Sequence, residues 1–106
     1  MGKSTVRIKA RRKPDFVEVK VLINHPMETG FRYDYDTGER VAEHYIKEVA
    51  CYYNDELILK SHWGVAVSKD PFLSFRVDGD KASGVVRVSW KDNKGNKDSF
   101  ESELEE

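Results

Sequence analysis

Phe16-Val17-Glu18-Val19-Lys20-Val21-Leu22-Ile23 decides the fold class. Val17, Val19, Val21 and Ile23 fall on one side of an extended chain, and Glu18 and Lys20 fall on the other with Phe16 and Leu22. A period of two with β-branched residues on one side marks a strand that buries one face. Before it, Thr5–Ala10 reads as a strand with Val6 and Ile8 inward, and Arg12–Asp15 is a turn in which Pro14 ends any regular element. After it, Asn24–Val41 is the longest irregular stretch, punctuated by Pro26, Gly30 and Gly38. His44–Tyr53 is then a strand, joined through Asn54-Asp55 to Leu57–Trp63. Lys69-Asp70-Pro71 breaks the chain before Phe72–Val77, and Asp78–Gly84 is a polar loop. Val85–Trp90 alternates again. Asp92-Asn93-Lys94-Gly95-Asn96 turns it into Asp98–Leu104, with Phe100 and Leu104 inward. About seven short strands with turn signals roughly every 8–12 residues predict an all-β chain, an immunoglobulin-like antiparallel β-sandwich. A helix over Glu39–Val49, through Val41, Tyr45 and Val49, is the weaker alternative because the segment is rich in β-branched residues.

The 106 residues form one domain, residues 1–106, long enough for a core that needs neither disulfide nor metal. The formal net charge of −1 gives no global field toward nucleic acid. Charge is nevertheless uneven. Lys3, Arg7, Lys9, Arg11, Arg12 and Lys13 make the start basic, and Asp98, Glu101, Glu103, Glu105 and Glu106 make the end acidic. Two solvated edges that pair if the terminal strands are neighbours explain this pattern; an electrostatic docking face is the functional alternative. No apolar run approaches the ~20 residues of a membrane span. Arg11-Arg12 is followed by Lys13-Pro14-Asp15 rather than an apolar stretch, so no export signal is expected and the chain by itself reads as cytoplasmic.

Few residues could carry chemistry. His25, His44, His62 and Cys51 are the soft metal ligands, and their spacing gives no local site: His44 and Cys51 would face opposite sides of one strand. No metal and no cofactor is expected. Cys51 is the lone cysteine, which leaves a buried thiol, a reactive thiol or an interchain disulfide to a partner. Asp34 and Asp36 fit turn positions. Tyr52 and Tyr53 are adjacent and cannot both face one core, so one is exposed or covered by a partner. The irregular segments Ile23–Gly30 and Trp63–Phe75 are more specific than turn closure requires, as expected of surfaces shaped for a partner. An interaction module is favoured over an enzyme.

Three stretches resemble one family, in the same order along the chain: Val17–Gly30 with its His25-Pro26-Met27-Glu28-Thr29-Gly30 end, Ala66–Phe75 with Lys69-Asp70-Pro71-Phe72, and Trp90–Gly95. They resemble SoxZ, the Z subunit of the SoxYZ sulfur-carrier complex of bacterial thiosulfate oxidation. Val65 stands where that family usually carries Pro, and Asp70 where it usually carries Asn.

The resemblance implies an immunoglobulin-like sandwich without catalytic residues. It implies a heterodimer with a SoxY-like subunit, whose Gly-Gly-Cys-Gly-Gly arm carries sulfur to the Sox cytochromes and hydrolases. The Glu101–Glu106 end has neither Gly nor Cys and is not expected to be that arm. Periplasmic location, by co-export with the partner, is also implied. His25, Pro26, Met27, Trp63, Pro71, Phe72 and Phe75 are the expected partner-facing or loop-shaping residues, with Phe75 equally suited to the core. The isolated chain is open to homodimerisation through the same face. Two other classes stay open. One is a redox protein like the superoxide reductases, whose iron sites resemble four His with one Cys, against three His here. The other is a stand-alone adhesion or sugar-binding module.

Overall fold

The computed structural model describes residues 5–79 and 83–105. Lys3 of the basic start, Glu106 of the acidic end and residues 80–82 of the Asp78–Gly84 loop lie outside the described residues. Seven strands follow in chain order: β1 (Val6–Arg12), β2 (Phe16–Ile23), β3 (Ile46–Tyr53), β4 (Glu56–His62), β5 (Phe72–Asp78), β6 (Val85–Asp92) and β7 (Lys97–Glu103). They pair antiparallel into a three-stranded sheet, β1-β2-β5, and a four-stranded sheet, β4-β3-β6-β7. The expected immunoglobulin-like β-sandwich is the fold, and no helix occurs among the described residues, so Glu39–Val49 is not helical.

The alternation of β2 sets the core. Val17, Val19, Val21 and Ile23 are wholly buried and belong to one cluster with Val49 and Cys51 of β3 and Val86, Val88 and Trp90 of β6. Burial of each such aliphatic side chain contributes about 1.5–3 kcal/mol, an upper bound because the unfolded chain already hides part of its surface. Tyr53 is buried with them and donates its hydroxyl to Ser83 O at 2.7 Å. Tyr52 points outward, where Arg87 lies 4.2 Å over its ring, so the adjacent tyrosines divide between core and surface. Asn54 and Asp55 both have positive φ, 50° and 68°, as a two-residue loop between right-twisted strands requires.

The two sheets meet along β1 and β7. Arg12 N–H donates to Glu105 O at 3.1 Å, and Glu105 N–H donates to Ala10 O at 2.7 Å. Arg11 and Glu105 form an exposed ion pair at 3.8 Å. Trp90 Nε1–H donates to Thr5 Oγ1 at 3.0 Å, and Thr5 Oγ1 donates in turn to Asp98 Oδ2 at 2.8 Å. The basic start and the acidic end are therefore neighbours.

Several boundaries differ from the expectation. His44 and Trp63 lie outside the strands assigned to them, because β3 begins at Ile46 and β4 ends at His62. Phe100 pairs with Val88 and shares its inner side, yet it is 41% exposed rather than buried. It sits on an edge strand, where the sandwich closes incompletely over it.

Candidate functional site

His25 lies two residues past the end of β2, where the chain leaves the sheet. Its backbone is clamped to the loop before β5: His25 N–H donates to Asp70 Oδ1 at 3.0 Å, and Asp70 N–H donates to His25 O at 2.9 Å. Asp70 has φ 51°, a left-handed conformation that Asn and Asp tolerate best. The oxygen acceptor and the left-handed backbone used here suit Asp as they would suit Asn.

The His25 side chain is 3% exposed and points at Asp92, which ends β6 and is 2% exposed. Nδ1 accepts a hydrogen bond from Met27 N–H at 3.1 Å, and Nε2 lies 3.0 Å from Asp92 Oδ2. A neutral imidazole that accepts at one nitrogen must carry its proton on the other, so Nε2–H donates to the carboxylate. His44 Nε2 reaches the same oxygen at 2.6 Å, and Asn96 Nδ2–H reaches it at 3.1 Å. The other oxygen, Oδ1, accepts from Lys94 N–H at 3.0 Å and Asn96 N–H at 2.8 Å. Burial pushes the Asp92 carboxyl up, but the hydrogen bonds from His25, Asn96 and His44 outweigh it and hold the group well below the usual carboxylate range. Trp90 closes the pocket edge-on to His25, with ring centroids 5.2 Å apart.

Met27 completes the loop. It has φ 49°, is buried, and its Sδ accepts from Ile46 N–H at 3.4 Å, which fixes the entry to β3. Glu28 and His44 exchange backbone hydrogen bonds at 2.6 and 3.0 Å. Beyond them, residues 31–41 fold into a small ladder with Phe31, Tyr33 and Tyr35 exposed and Arg40 stacked 5.8 and 5.5 Å from the first two rings.

The expected site residues separate by role. His25, Met27 and Pro71 are buried and shape the two loops. Trp63 and Phe75 pack half-buried against the core, and Trp63 Nε1–H donates to Ser61 Oγ at 3.0 Å. Pro26 and Phe72 face solvent, Phe72 at 62% exposure. Phe72 stands on the outer face of the three-stranded sheet opposite Leu22, whereas Phe75 stands on the inner face opposite Val19. Cys51 is 0% exposed among core side chains, and burial pushes its thiol up to about 12. In this fold its sulfur offers no surface from which to bridge a second chain or attack a substrate. Asp92, Asp70 and the exposed aromatics of residues 31–35 were not among the expected residues.

The three stretches that resemble SoxZ thus converge on His25. A family model described as sulphur oxidation protein SoxZ matches residues 6–103. The chain belongs to the SoxZ family. No curated protein sequence matches it. Among solved structures, a superoxide reductase in the oxidized state is similar with a TM-score of 0.66 at 19% identity, over 99% of this chain and 90% of that one. A hypothetical protein from Pyrococcus horikoshii OT3 gives 0.63 at 18% identity, over 98% and 90%. The superoxide reductase (neelaredoxin) from Ignicoccus hospitalis gives 0.62 at 18% identity, over 95% and 80%. These likenesses concern the fold.

Because superoxide reductases share the fold, the fit of His25, His44 and Asp92 to a metal needs testing. Their ligand atoms lie within 4.8 Å of one another, so His25 and His44 meet through the fold, a closeness that the His44–Cys51 spacing did not address. The cluster does not fit a metal as it stands. A metal-binding Nε2 must be unprotonated, with the proton on Nδ1, but His25 Nδ1 faces the Met27 N–H donor. The Asp92 oxygens are also fully engaged by five donors. Cys51 is not in the cluster, and neither is His62, which ends β4 opposite Glu48. The arrangement is a hydrogen-bonded clasp that holds three loops together.

Proposed function

We propose that this SoxZ-family chain is the non-catalytic subunit of a heterodimeric sulfur carrier. It scaffolds a SoxY-like subunit whose cysteine arm carries thiosulfate-derived sulfur between the Sox cytochromes and hydrolases. The observation that carries this reading is the enclosure of Cys51. The only thiol of the chain is walled into the core and held protonated at neutral pH, so it is unsuited to accept and hand on sulfur. A member of a sulfur-oxidation family without a usable thiol needs the sulfur to ride on another subunit. The clasp around His25 supports the same reading, because it stiffens loops without presenting a reacting group.

The partner-facing surface is the outer face of β1-β2-β5, centred on Phe72 and Leu22. Both are apolar side chains of an uncovered sheet, and an exposed aromatic beside a half-buried aliphatic is the composition of an interface anchor. We place the complex in the periplasm, where co-export with the partner would bring it.

The test is to incubate the purified chain, the SoxY-like subunit and their complex with sulfur-labelled thiosulfate and the Sox cytochromes. Label on the partner's cysteine and none on Cys51 supports the carrier reading. Label on Cys51 of the folded chain overturns it.

A further inference from the structure

The outer face of β1-β2-β5 is charge-segregated in a way its own fold does not explain. Its rows run Arg7–Leu22–Phe72, Lys9–Lys20–Ser74, Arg11–Glu18–Arg76 and Phe16–Asp78. Five cations therefore share this face with two carboxylates, in a chain whose net charge is −1. Arg11 turns to Glu105, and Arg76 is held by Asp78 at 3.2 Å. Lys20 reaches Glu18 at only 3.9 Å. Arg7 and Lys9 have no carboxylate within ion-pair distance among the described residues. Lys9 and Lys20 stand directly opposite each other, and like charges so placed destabilise a sheet. The four-stranded sheet also sets Lys91 opposite Lys97, but there Glu48 pairs across from Lys91 and holds Lys60 at 3.2 Å, and Arg87 pairs across from Glu101 and lies over Tyr52. The unrelieved cations border a shallow apolar depression of about 300 Å³ lined by Arg7, Lys9, Lys20, Leu22 and Phe72.

We propose that this face recognises a partner surface in which carboxylates surround an apolar side chain. The apolar group covers Phe72 and Leu22, and the carboxylates enter between Lys9 and Lys20 and beside Arg7. The inference rests on the heterodimer reading and adds to it the chemistry of the SoxY-like subunit's contact surface. Charge complementarity selects that occupant: a second copy of this chain would bring the same cations against one another. A carboxylate between the two lysines relieves a repulsion that the free subunit must bear.

The two effects predict an opposed pair of results from one substitution. Lys9→Glu places an anion opposite Lys20 and should raise the thermal midpoint of the isolated chain. The same substitution should weaken binding. Affinity of the full chain for the SoxY-like subunit is measured by calorimetric titration at about 0.05 M and about 0.5 M salt. Lys9→Glu with Lys20→Glu should weaken it by about tenfold or more at the lower salt, with a smaller loss at the higher. Lys97→Glu, on the other sheet, should leave it unchanged. If the wild type binds and the double reversal changes affinity by less than about twofold, the electrostatic inference is overturned while the heterodimer stands. If the wild type does not bind at either salt, the heterodimer reading falls and takes this inference with it.

Discussion

The Nε2 of His25 donates to Asp92 Oδ2 across 3.0 Å, joining residues 67 positions apart that are both buried. This bond ties the exit of β2 to the exit of β6; His44 adds the entry to β3 at the far end of the same connection, and Asp70 adds the loop before β5. Asp92→Asn removes the charge and turns one acceptor atom into a donor. That amide must face either the Lys94 and Asn96 amides or the His25, His44 and Asn96 side chains, all of which donate. The expected loss is about 3 kcal/mol, measured by urea unfolding at neutral pH.

The same residue gives the clasp an acid limit. The Asp92 carboxyl titrates lower in the folded chain than in the unfolded one, where it lies near ~4. Its contribution is therefore complete above that ordinary value and is lost as pH falls toward the lower folded value. The stability difference between wild type and Asp92→Asn should shrink steadily below about pH 4. A difference that stays constant down to pH ~2 would remove Asp92 as the source.

Cys51 should be inert while the sandwich is closed. A thiol reagent should modify it only at the rate of global unfolding, and non-reducing electrophoresis of the native chain should show no disulfide-linked dimer. Rapid modification of the folded chain would contradict its placement in the core.

Gly84 owes its place to Tyr53. A Cβ at position 84 would collide with the Tyr53 hydroxyl and ring, and the hydroxyl is committed to Ser83 O. Gly84→Ala should cost about 1–3 kcal/mol by displacing a buried aromatic. Removing the obstacle in Tyr53→Phe should recover only part of that, because the ring carbons also stand in the way. Denaturation midpoints of the two single variants and the double variant measure the coupling.

The strands were legible because their signal is local. The valines of β2 state their own face, and the Asn54-Asp55 and Asp92–Asn96 turns state theirs. Parity also separates Phe72 from Phe75, since residues three apart on a strand face opposite ways. The clasp was not legible, because it is made between loops that only the finished sandwich brings together. Asp92 read as a turn residue, and it is one: Oδ1 holds Lys94 and Asn96. Its second role, accepting from His25 and His44 through Oδ2, leaves no mark in the surrounding sequence. Phe100 misled for the opposite reason, because alternation gives a residue's side but not whether the facing sheet reaches over it.

The central claim is a one-to-one carrier complex, and co-expression with the SoxY-like subunit followed by native mass spectrometry tests it most directly. The account predicts a heterodimer that survives reduction, since no disulfide holds it, and that is lost when Phe72 is changed to Glu in a chain that remains folded. Separate elution of the two wild-type chains, or a complex indifferent to Phe72→Glu, would contradict it.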